Sequence, residues 1–253
     1  MLVDTHCHLD QFDDAEAVIK AASERGITRL VVVSEDPESM LRVLELKQQH
    51  PTTVLAGLGL HPVWVVRNPD MVQGALEQLE EILPQADELG EVGLDHKWAT
   101  ERVDQLLQEE VLARQLNLAA RYAKPVNLHA RRCQRQTMER AIAFRRNTGL
   151  NAHMHWFTQS RKLVRICNDE GIYVSVGPTV LNDEQTQRVA LEISDELLLL
   201  ETDAPVAIGG RPGHPLRVRE VAECMARLRG HEVEEMAALC AQNFARFIAP
   251  CST

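Results

Sequence analysis

The sequence lacks the features typical of secreted, membrane-spanning and zinc-knuckle proteins. Its 253 residues open without a basic and apolar leader and contain no long uncharged apolar run, so we expect a soluble cytoplasmic protein with no membrane association. The six cysteines form no Cys-x-x-Cys pair, which argues against a disulfide framework and predicts reduced thiols. They are Cys7, Cys133, Cys167, Cys224, Cys240 and Cys251.

Positive charge is also scarce, since the formal net charge is −10. This balance argues against a large basic surface for tight binding of duplex nucleic acid. A nucleic-acid substrate stays open, because carboxylates that bind a divalent cation are neutralised there and the cation attracts phosphate. Nothing in the composition indicates an obligate protein partner.

Linkers, low-complexity runs and internal repeats are missing as well, so we predict one domain over residues 1–253. Short β-branched runs alternate with amphipathic segments, which is typical of a parallel α/β fold. The predicted strands are Leu2–His6, Leu30–Ser34, Thr53–Leu60, Glu88–Leu94, Pro125–His129, Leu150–His155, Ile172–Val176 and Leu197–Thr202. The predicted helices are Asp14–Glu24, Pro37–Gln49, Pro69–Leu83, Arg102–Tyr122, Arg135–Thr148, Ser160–Glu170, Asp183–Ile193, Leu216–Arg229 and Val233–Ile248.

Eight such units in a chain of this length predict a (β/α)8 TIM-type barrel. The main alternative is an open doubly wound sheet, which usually carries a Gly-rich phosphate loop after an early strand. Here the first strand ends instead in His-Cys-His at residues 6–8. Two imidazoles two residues apart on a strand share one face and can form a chelating pair for a metal. Two surface histidines without a metal role would give the same sequence pattern.

The strand ends together favour the metal interpretation. Catalytic groups of such barrels lie at the carboxyl ends of the strands. Six of the ten histidines fall there, together with several carboxylates. These histidines are His6, His8, His61, His129, His153 and His155. Imidazoles and carboxylates suit zinc, manganese or a similar divalent ion. Glu91 is the natural bridge between two ions because a carboxylate has two oxygens, and Asp203 can bind metal and accept a proton from water.

Six motifs in order resemble those of the TatD family of metal-dependent hydrolases, which belongs to the amidohydrolase-like barrels. They are Asp-Thr-His-Cys-His at 4–8, Gly-Leu-His-Pro at 59–62, Gly-Glu-Val-Gly-Leu-Asp at 90–95, Leu-His-Ala-Arg at 128–131, His-Trp-Phe at 155–157 and Leu-Glu-Thr-Asp-Ala-Pro at 200–205. The resemblance runs nearly end to end and includes Gln-Asn-Phe-Ala-Arg-Phe at 242–247, which is similar to the family's closing helix.

The resemblance implies one or two divalent ions, with Zn, Mn and Mg as candidates. It implies a first metal held by His6, His8, Glu91 and Asp203, and a second held by Glu91, His129 and His155. It also implies cleavage of phosphodiesters, with single-stranded DNA or a small phosphodiester as substrate. Departures from the family pattern fall in loops above the metals, at Ala130, at residues 155–160 and at residues 211–215. They leave the substrate open and the metal ligands unchanged.

Several neighbouring residues have two interpretations. We take His155 as the ligand and place His153 lower in the barrel. His61 either contacts substrate phosphate or is structural, and Arg131, with its neighbour Arg132, either binds phosphate or lies in a solvated loop. The remaining such residues either orient imidazoles or form salt bridges; they are Asp4, Asp95 and Glu201.

Three functions follow from these residues. The first is a metal-dependent phosphodiesterase, such as a deoxyribonuclease, with Asp203 and Glu91 as catalytic groups. The second keeps the metals but cleaves an amide, ester or lactone, and a small apolar pocket without a nearby arginine would favour it. The third is a metal-binding scaffold without activity.

Overall fold

The computed structural model describes residues 1–249, so Cys251 and the end of the predicted 1–253 domain lie outside the described residues. Eight parallel strands follow one another in chain order around a single sheet. The strands are β1 (Leu2–Cys7), β2 (Ile27–Val33), β3 (Val54–Leu58), β4 (Glu88–Asp95), β5 (Val126–Arg131), β6 (Ala152–Met154), β7 (Tyr173–Val176) and β8 (Leu198–Leu200). This order confirms the (β/α)8 barrel over the doubly wound sheet.

Ten α-helices accompany the strands in the described part of the chain. They are α1 (Ala15–Glu24), α2 (Pro37–Gln49), α3 (Pro62–Arg67), α4 (Val72–Ile82), α5 (Arg102–Arg121), α6 (Gln134–Thr148), α7 (Arg161–Asp169), α8 (Glu184–Ala190), α9 (Arg217–Arg229) and α10 (Val233–Ile248). Within residues 1–249, none of these helices combines the length and apolar character that crossing a membrane requires.

Local capping residues explain several helix boundaries. Asp36 accepts a hydrogen bond from the Ser39 backbone at 2.7 Å and Pro37 opens α2, as the sequence predicts. At the end of α1 the C-cap residue is Arg25, and Gly26 follows it with a positive φ of 75°. The short helix α3 was not predicted, because its apolar residues lack the length from which a helical period can be recognised.

The strand boundaries differ from prediction mainly at β2, β6 and β8. Strand β2 begins three residues earlier than predicted, at Ile27. Strands β6 and β8 are only three residues long each, so His155 follows its strand instead of ending it. A strand extends only as far as its backbone is hydrogen-bonded to a neighbouring strand, whereas the sequence pattern shows only side-chain polarity. The two therefore differ at strand ends.

Strands β8 and β1 meet at the seam of the barrel through hydrogen bonds of the residues around them. The Asp203 amide donates to the His6 carbonyl at 2.9 Å, and the His8 amide donates to the Ala204 carbonyl at 2.7 Å. Below them the Thr5 hydroxyl donates to the Leu200 carbonyl at 3.0 Å. These bonds hold the segment after β8 against the end of β1.

Two apolar clusters support the barrel. The larger one packs the strands against the surrounding helices. The smaller one packs Phe244 and Phe247 of α10 against residues from four strands, among them Val31, Tyr173 and Leu199. The final helix therefore packs directly on barrel residues. This contact is apolar, whereas the rim at the carboxyl ends of the strands is polar.

Strand β4 approaches β5 closely at Gly93. A Cβ atom at Gly93 would lie 2.1 Å from the His129 carbonyl oxygen, and its φ of +153° disfavours any other residue.

We expect Gly93→Ala to lower the free energy of unfolding by roughly 2–4 kcal/mol, because only backbone movement can relieve the contact. Gly74→Ala is the matched control: its Cβ meets nothing within 4 Å on an exposed position of α4, so we expect a gain of about 0.5–1 kcal/mol. Urea unfolding measures both, and equal effects would contradict the prediction.

Glu88 begins β4 and is fully buried. Burial raises the pKa of Glu88 from 4.5 to about 8, against the opposing hydrogen bond from Asn127. Folded Glu88 therefore keeps a proton that the unfolded chain releases, and the free energy of unfolding falls as the pH rises from about 4.5 to about 8. Glu88→Gln imitates the protonated side chain, so we expect its advantage over the parent chain to grow through this window, to the order of a few kcal/mol.

Urea unfolding at pH 5 and pH 8 measures this advantage, because other titrating groups cancel in the difference between the two proteins. A difference in unfolding free energy that stays constant between the two pH values would contradict the raised pKa of Glu88.

Candidate metal centre

The six residues that the sequence predicts as metal ligands come together at one end of the barrel. His6, Glu91 and His129 lie on β1, β4 and β5, while His8, His155 and Asp203 directly follow β1, β6 and β8. Five of the six side chains are buried, and His129 is half-buried at the rim of the cavity above them. Strand alternation brings His6 and His8 to the same side, as predicted.

Glu91 lies between two groups of imidazoles, with one oxygen directed to each. Its Oε2 lies 3.5 Å from His6 Nε2 and 3.6 Å from His8 Nε2. Its Oε1 lies 2.7 Å from His129 Nδ1 and 2.8 Å from His155 Nε2. A carboxylate in this position can serve two cation sites at once, one through each oxygen.

Asp203 completes the group around the first oxygen. Its Oδ1 lies 3.6 Å from His6 Nε2 and 3.3 Å from His8 Nε2. The residue has a φ of 53°, in the left-handed region that a non-glycine residue rarely adopts. Such a backbone conformation persists only when its surroundings hold it. Here the hydrogen bond from the Asp203 amide to the His6 carbonyl does so.

The donor atoms fit one or two divalent cations. Three groups each have ligand atoms within 4.8 Å of one another: His6 with Glu91 and His155; His6 with His8 and Asp203; and His61 with Glu91 and His129. His6 Nε2 is buried without a hydrogen-bond partner and faces two carboxylates. A buried, unpaired imidazole nitrogen among carboxylate oxygens is what a cation between them would satisfy.

The charges in this cluster favour an ionised Glu91. Burial alone would raise the pKa of Glu91, but the neighbouring imidazoles, with His155 first, hold the pKa of this carboxyl well below its usual value. The pKa of Asp203 is also lowered: burial opposes ionisation, but the hydrogen bond with His8 and the charges of the neighbouring imidazoles together outweigh it. Both carboxylates are therefore available as anionic ligands at neutral pH.

Three of the imidazoles face a carbonyl or carboxylate oxygen at their other nitrogen. His8 Nδ1 lies 3.1 Å from the Val33 carbonyl, and His129 Nε2 lies 3.2 Å from Asp95. His155 Nδ1 faces Glu201 at 3.6 Å. Such partners fix the ring orientation and direct the other nitrogen to the metal. Asp95 and Glu201 thus contact imidazoles as one of their two interpretations expects.

Asp4 contacts no imidazole, contrary to the interpretation that it orients a ligand. Its carboxylate accepts hydrogen bonds from the Thr202 amide at 2.9 Å and from the Thr202 hydroxyl at 2.5 Å. Asp4 therefore joins β1 to the segment after β8, which positions Asp203 next to it. His153 is buried below the rim, with its ring edge-on to Phe247 at 5.7 Å between centroids.

His61 differs from the other imidazoles in the hydrogen bond at its Nδ1. This atom accepts from the Val63 amide at 3.2 Å, as the N-cap of α3. Burial lowers the pKa of His61 to about 3, so the ring is neutral and its proton is on Nε2. A protonated Nε2 cannot bind a metal, although it lies 3.7 Å from Glu91 Oε1. His61 is thus a hydrogen-bond donor directed at the centre.

A cavity of about 990 Å³ opens above these groups. Arg131 lines it, as do the three tryptophans of the chain: Trp64, Trp98 and Trp156. Arg67 also lines the cavity and lies over the Trp98 ring at 4.7 Å. The cavity therefore combines aromatic faces with two guanidinium groups near the predicted ligands.

Sequence reasoning missed two features of the site. Arg67 belongs to the unpredicted helix α3. The second is Asn127, which donates a hydrogen bond to Glu88 and faces His6. The sequence feature that could have identified it is a polar residue in an otherwise apolar strand, two positions before His129. Strand alternation places Asn127 on the face of His129.

Comparison with known proteins identifies the family. The family model described as TatD related DNase matches residues 3–249. The uncharacterized metal-dependent hydrolase YabD of Bacillus subtilis is 32% identical over 260 residues, covering 97% of this chain and 98% of its own length. The human deoxyribonuclease TATDN3 is 29% identical over 257 residues, covering 96% of this chain and 92% of its own length.

A solved structure agrees with these sequence matches. The crystal structure of YjjV, a TatD homologue from Escherichia coli, superposes with a TM-score of 0.86 at 29% identity and covers 97% of each chain. The barrel is therefore that of a TatD homologue as well as of this chain. The chain belongs to the TatD-related family and is a metal-dependent hydrolase.

Proposed function

We propose that this protein hydrolyses phosphodiester bonds, with a small phosphodiester or single-stranded DNA as substrate. The observation that carries the proposal is Glu91, whose two oxygens face two groups of imidazoles below a cavity lined by arginine. Two cations held side by side suit the attacking and leaving oxygens of phosphoryl transfer. The name of the human relative, a deoxyribonuclease, supports the same substrate class.

The ligand assignment follows the two sides of Glu91. The first site consists of His6, His8, Glu91 and Asp203. The second consists of Glu91, His129 and His155. The distances from the two Glu91 oxygens to these imidazoles and the unpaired His6 Nε2 support this division. Zn, Mn and Mg remain the candidate ions, since all three accept imidazole or carboxylate ligands.

The residues divide the chemistry as follows. A divalent cation in this position supplies a Lewis acid that activates water and stabilises negative charge on phosphate oxygens. Asp203 accepts a proton from the attacking water. His61 donates a hydrogen bond from its Nε2–H to a phosphate oxygen, and Arg131 binds phosphate through its planar guanidinium at the cavity wall. Glu91 would be a ligand shared by the two sites.

The cavity favours phosphodiesters over the alternatives. An amide or ester hydrolase acting on a small molecule would suit a small apolar pocket, whereas this cavity is about 990 Å³ and carries Arg67 and Arg131. Trp98 is about half exposed at this cavity, with a face on which a nucleobase can stack. A silent scaffold has no need of the complete set of donors around Glu91.

We also place the protein in the cytoplasm. The five cysteines of the described residues are free and buried, which suits a reducing compartment. They are Cys7, Cys133, Cys167, Cys224 and Cys240.

Asp203→Asn tests the proposed reaction. We expect the parent protein, stripped of metal and resupplied with Zn²⁺, Mn²⁺ or Mg²⁺, to cleave bis(p-nitrophenyl) phosphate or single-stranded DNA. The variant should lose a factor of roughly 10²–10⁴ in kcat, because the amide cannot take up the proton. Melting temperature with and without metal, measured in parallel, separates lost catalysis from lost folding.

Asp169→Asn is the matched control, since it removes one exposed carboxylate at the end of α7 and Asp169 does not line the cavity. We expect it to retain the parent activity. Metal-dependent turnover of neither substrate by the parent protein would refute the phosphodiester proposal, and turnover of a carbonyl ester alone would favour the second function.

His61→Asn separates a substrate contact from a metal ligand. The asparagine oxygen can replace Nδ1 as the N-cap acceptor for Val63, while the Nε2 donor is lost. We expect kcat/KM to fall about 10–100-fold, the effect of one hydrogen bond to a charged group, with stability and metal affinity nearly unchanged. His129→Asn is the comparison, because it removes a proposed ligand. If both variants lose metal affinity equally, His61 is a ligand and our assignment is wrong.

A further inference from the structure

A chain of hydrogen bonds runs from His6 into the barrel below the metal centre. Asn127 Oδ1 lies 3.2 Å from His6 Nδ1. The other end of the same amide, Nδ2, donates to Glu88 Oε1 at 2.9 Å. All three side chains have no exposed surface, and they come from β1, β5 and β4. Both bonds therefore lie away from bulk solvent.

The chain has a direction because an amide has one donor end and one acceptor end. Glu88 Oε1 accepts the hydrogen bond from the NH₂ end of Asn127, which turns the carbonyl end toward His6. The carbonyl oxygen in turn requires a donor, so His6 carries its proton on Nδ1. The lone pair of His6 is then on Nε2, the buried atom that faces Glu91 and Asp203.

Glu88 performs this task in its neutral form. Burial raises the pKa of Glu88 to about 8, and the carbonyl oxygen of a protonated carboxyl still accepts the Asn127 hydrogen bond. His129 faces the carboxylate of Asp95, but His6 has a neutral amide beside it. His6 therefore receives its orientation without a further negative charge next to Glu91 and Asp203.

We propose that Glu88 and Asn127 are positioning residues that hold His6 in the Nδ1–H tautomer and so raise the metal affinity of the centre. The proposal rests on the ligand role of His6 proposed above. Neither residue touches the donor atoms of the metal sites. Their effect passes through the imidazole ring, as is general for groups that hydrogen-bond to metal-binding histidines.

Three variants test the chain of hydrogen bonds. Asn127→Leu removes the partner of His6. Glu88→Met keeps a side chain of similar length but frees the amide to flip, and Glu88→Gln restores an acceptor. Asn243→Leu is the matched control: it also removes a buried amide, one that donates to the Asp195 and Leu198 carbonyls at 2.6 and 2.8 Å.

Two measurements on the purified full chain read the result. Competition with a chelating dye gives the affinity of the metal-free protein for Zn²⁺ and Mn²⁺. Imidazole ¹⁵N chemical shifts of the metal-free protein, with the His6 signal assigned by its loss in His6→Gln, report which ring nitrogen carries the proton. The second measurement needs neither metal nor activity.

We expect Asn127→Leu and Glu88→Met to lower metal affinity about 10–100-fold and to show a mixture of His6 tautomers. Glu88→Gln should remain within a few fold of the parent protein, and Asn243→Leu should lose stability alone. A folded Asn127→Leu or Glu88→Met with parent affinity and a single Nδ1–H tautomer overturns the proposal. If the parent binds no metal, the proposed function fails, and the tautomer measurement still decides the inference.

Discussion

The site depends on one carboxylate, Glu91, whose two oxygens face different groups of imidazoles. The histidines that surround it come from β1, β5 and the segment after β6, so no local part of the chain can form the centre. Without the nearby imidazoles a carboxylate this deeply buried would hold a proton, and a proton on either oxygen would remove one side of the bridge. The imidazoles therefore maintain the negative charge that the proposed cation sites require.

The seam between β8 and β1 completes the first side of that bridge. Asp203 stands opposite His6 and His8 only because its amide is bonded to the His6 carbonyl and because Asp4 holds Thr202. These contacts join residues about two hundred positions apart in the chain. The same hydrogen bonds that close the barrel thus align a carboxylate with two imidazoles, and fold and site cannot be separated at this point.

Much of this arrangement could be predicted from the sequence, for reasons visible in single residues. Strand alternation places His6 and His8 on one face, and the carboxyl ends of parallel strands must meet at one rim, so Glu91, His129 and Asp203 follow. Side-chain partners across the barrel do not follow. The pattern predicts that Asp4 is near the site. Whether Asp4 bonds to Thr202 or to an imidazole depends on the register between β1 and β8. The role of His61 depends on a backbone amide of α3, a helix too short to show a period.

The polar residues beneath the rim show how chemistry constrains the barrel core. A TIM-type barrel interior is usually filled by branched apolar side chains, and a buried amide and carboxyl at such positions cost stability relative to them. Glu88 retains its proton, which avoids the larger cost of a buried charge, but its Oε2 still has no hydrogen-bond partner. Apolar residues at both positions would pack the core better and would leave His6 Nδ1 without an acceptor. The tautomer with its lone pair on Nδ1 would then compete with the one that faces the carboxylates. The interior thus loses some stability and gains a single orientation of His6. This is consistent with a centre whose donor atoms are in place before a cation binds.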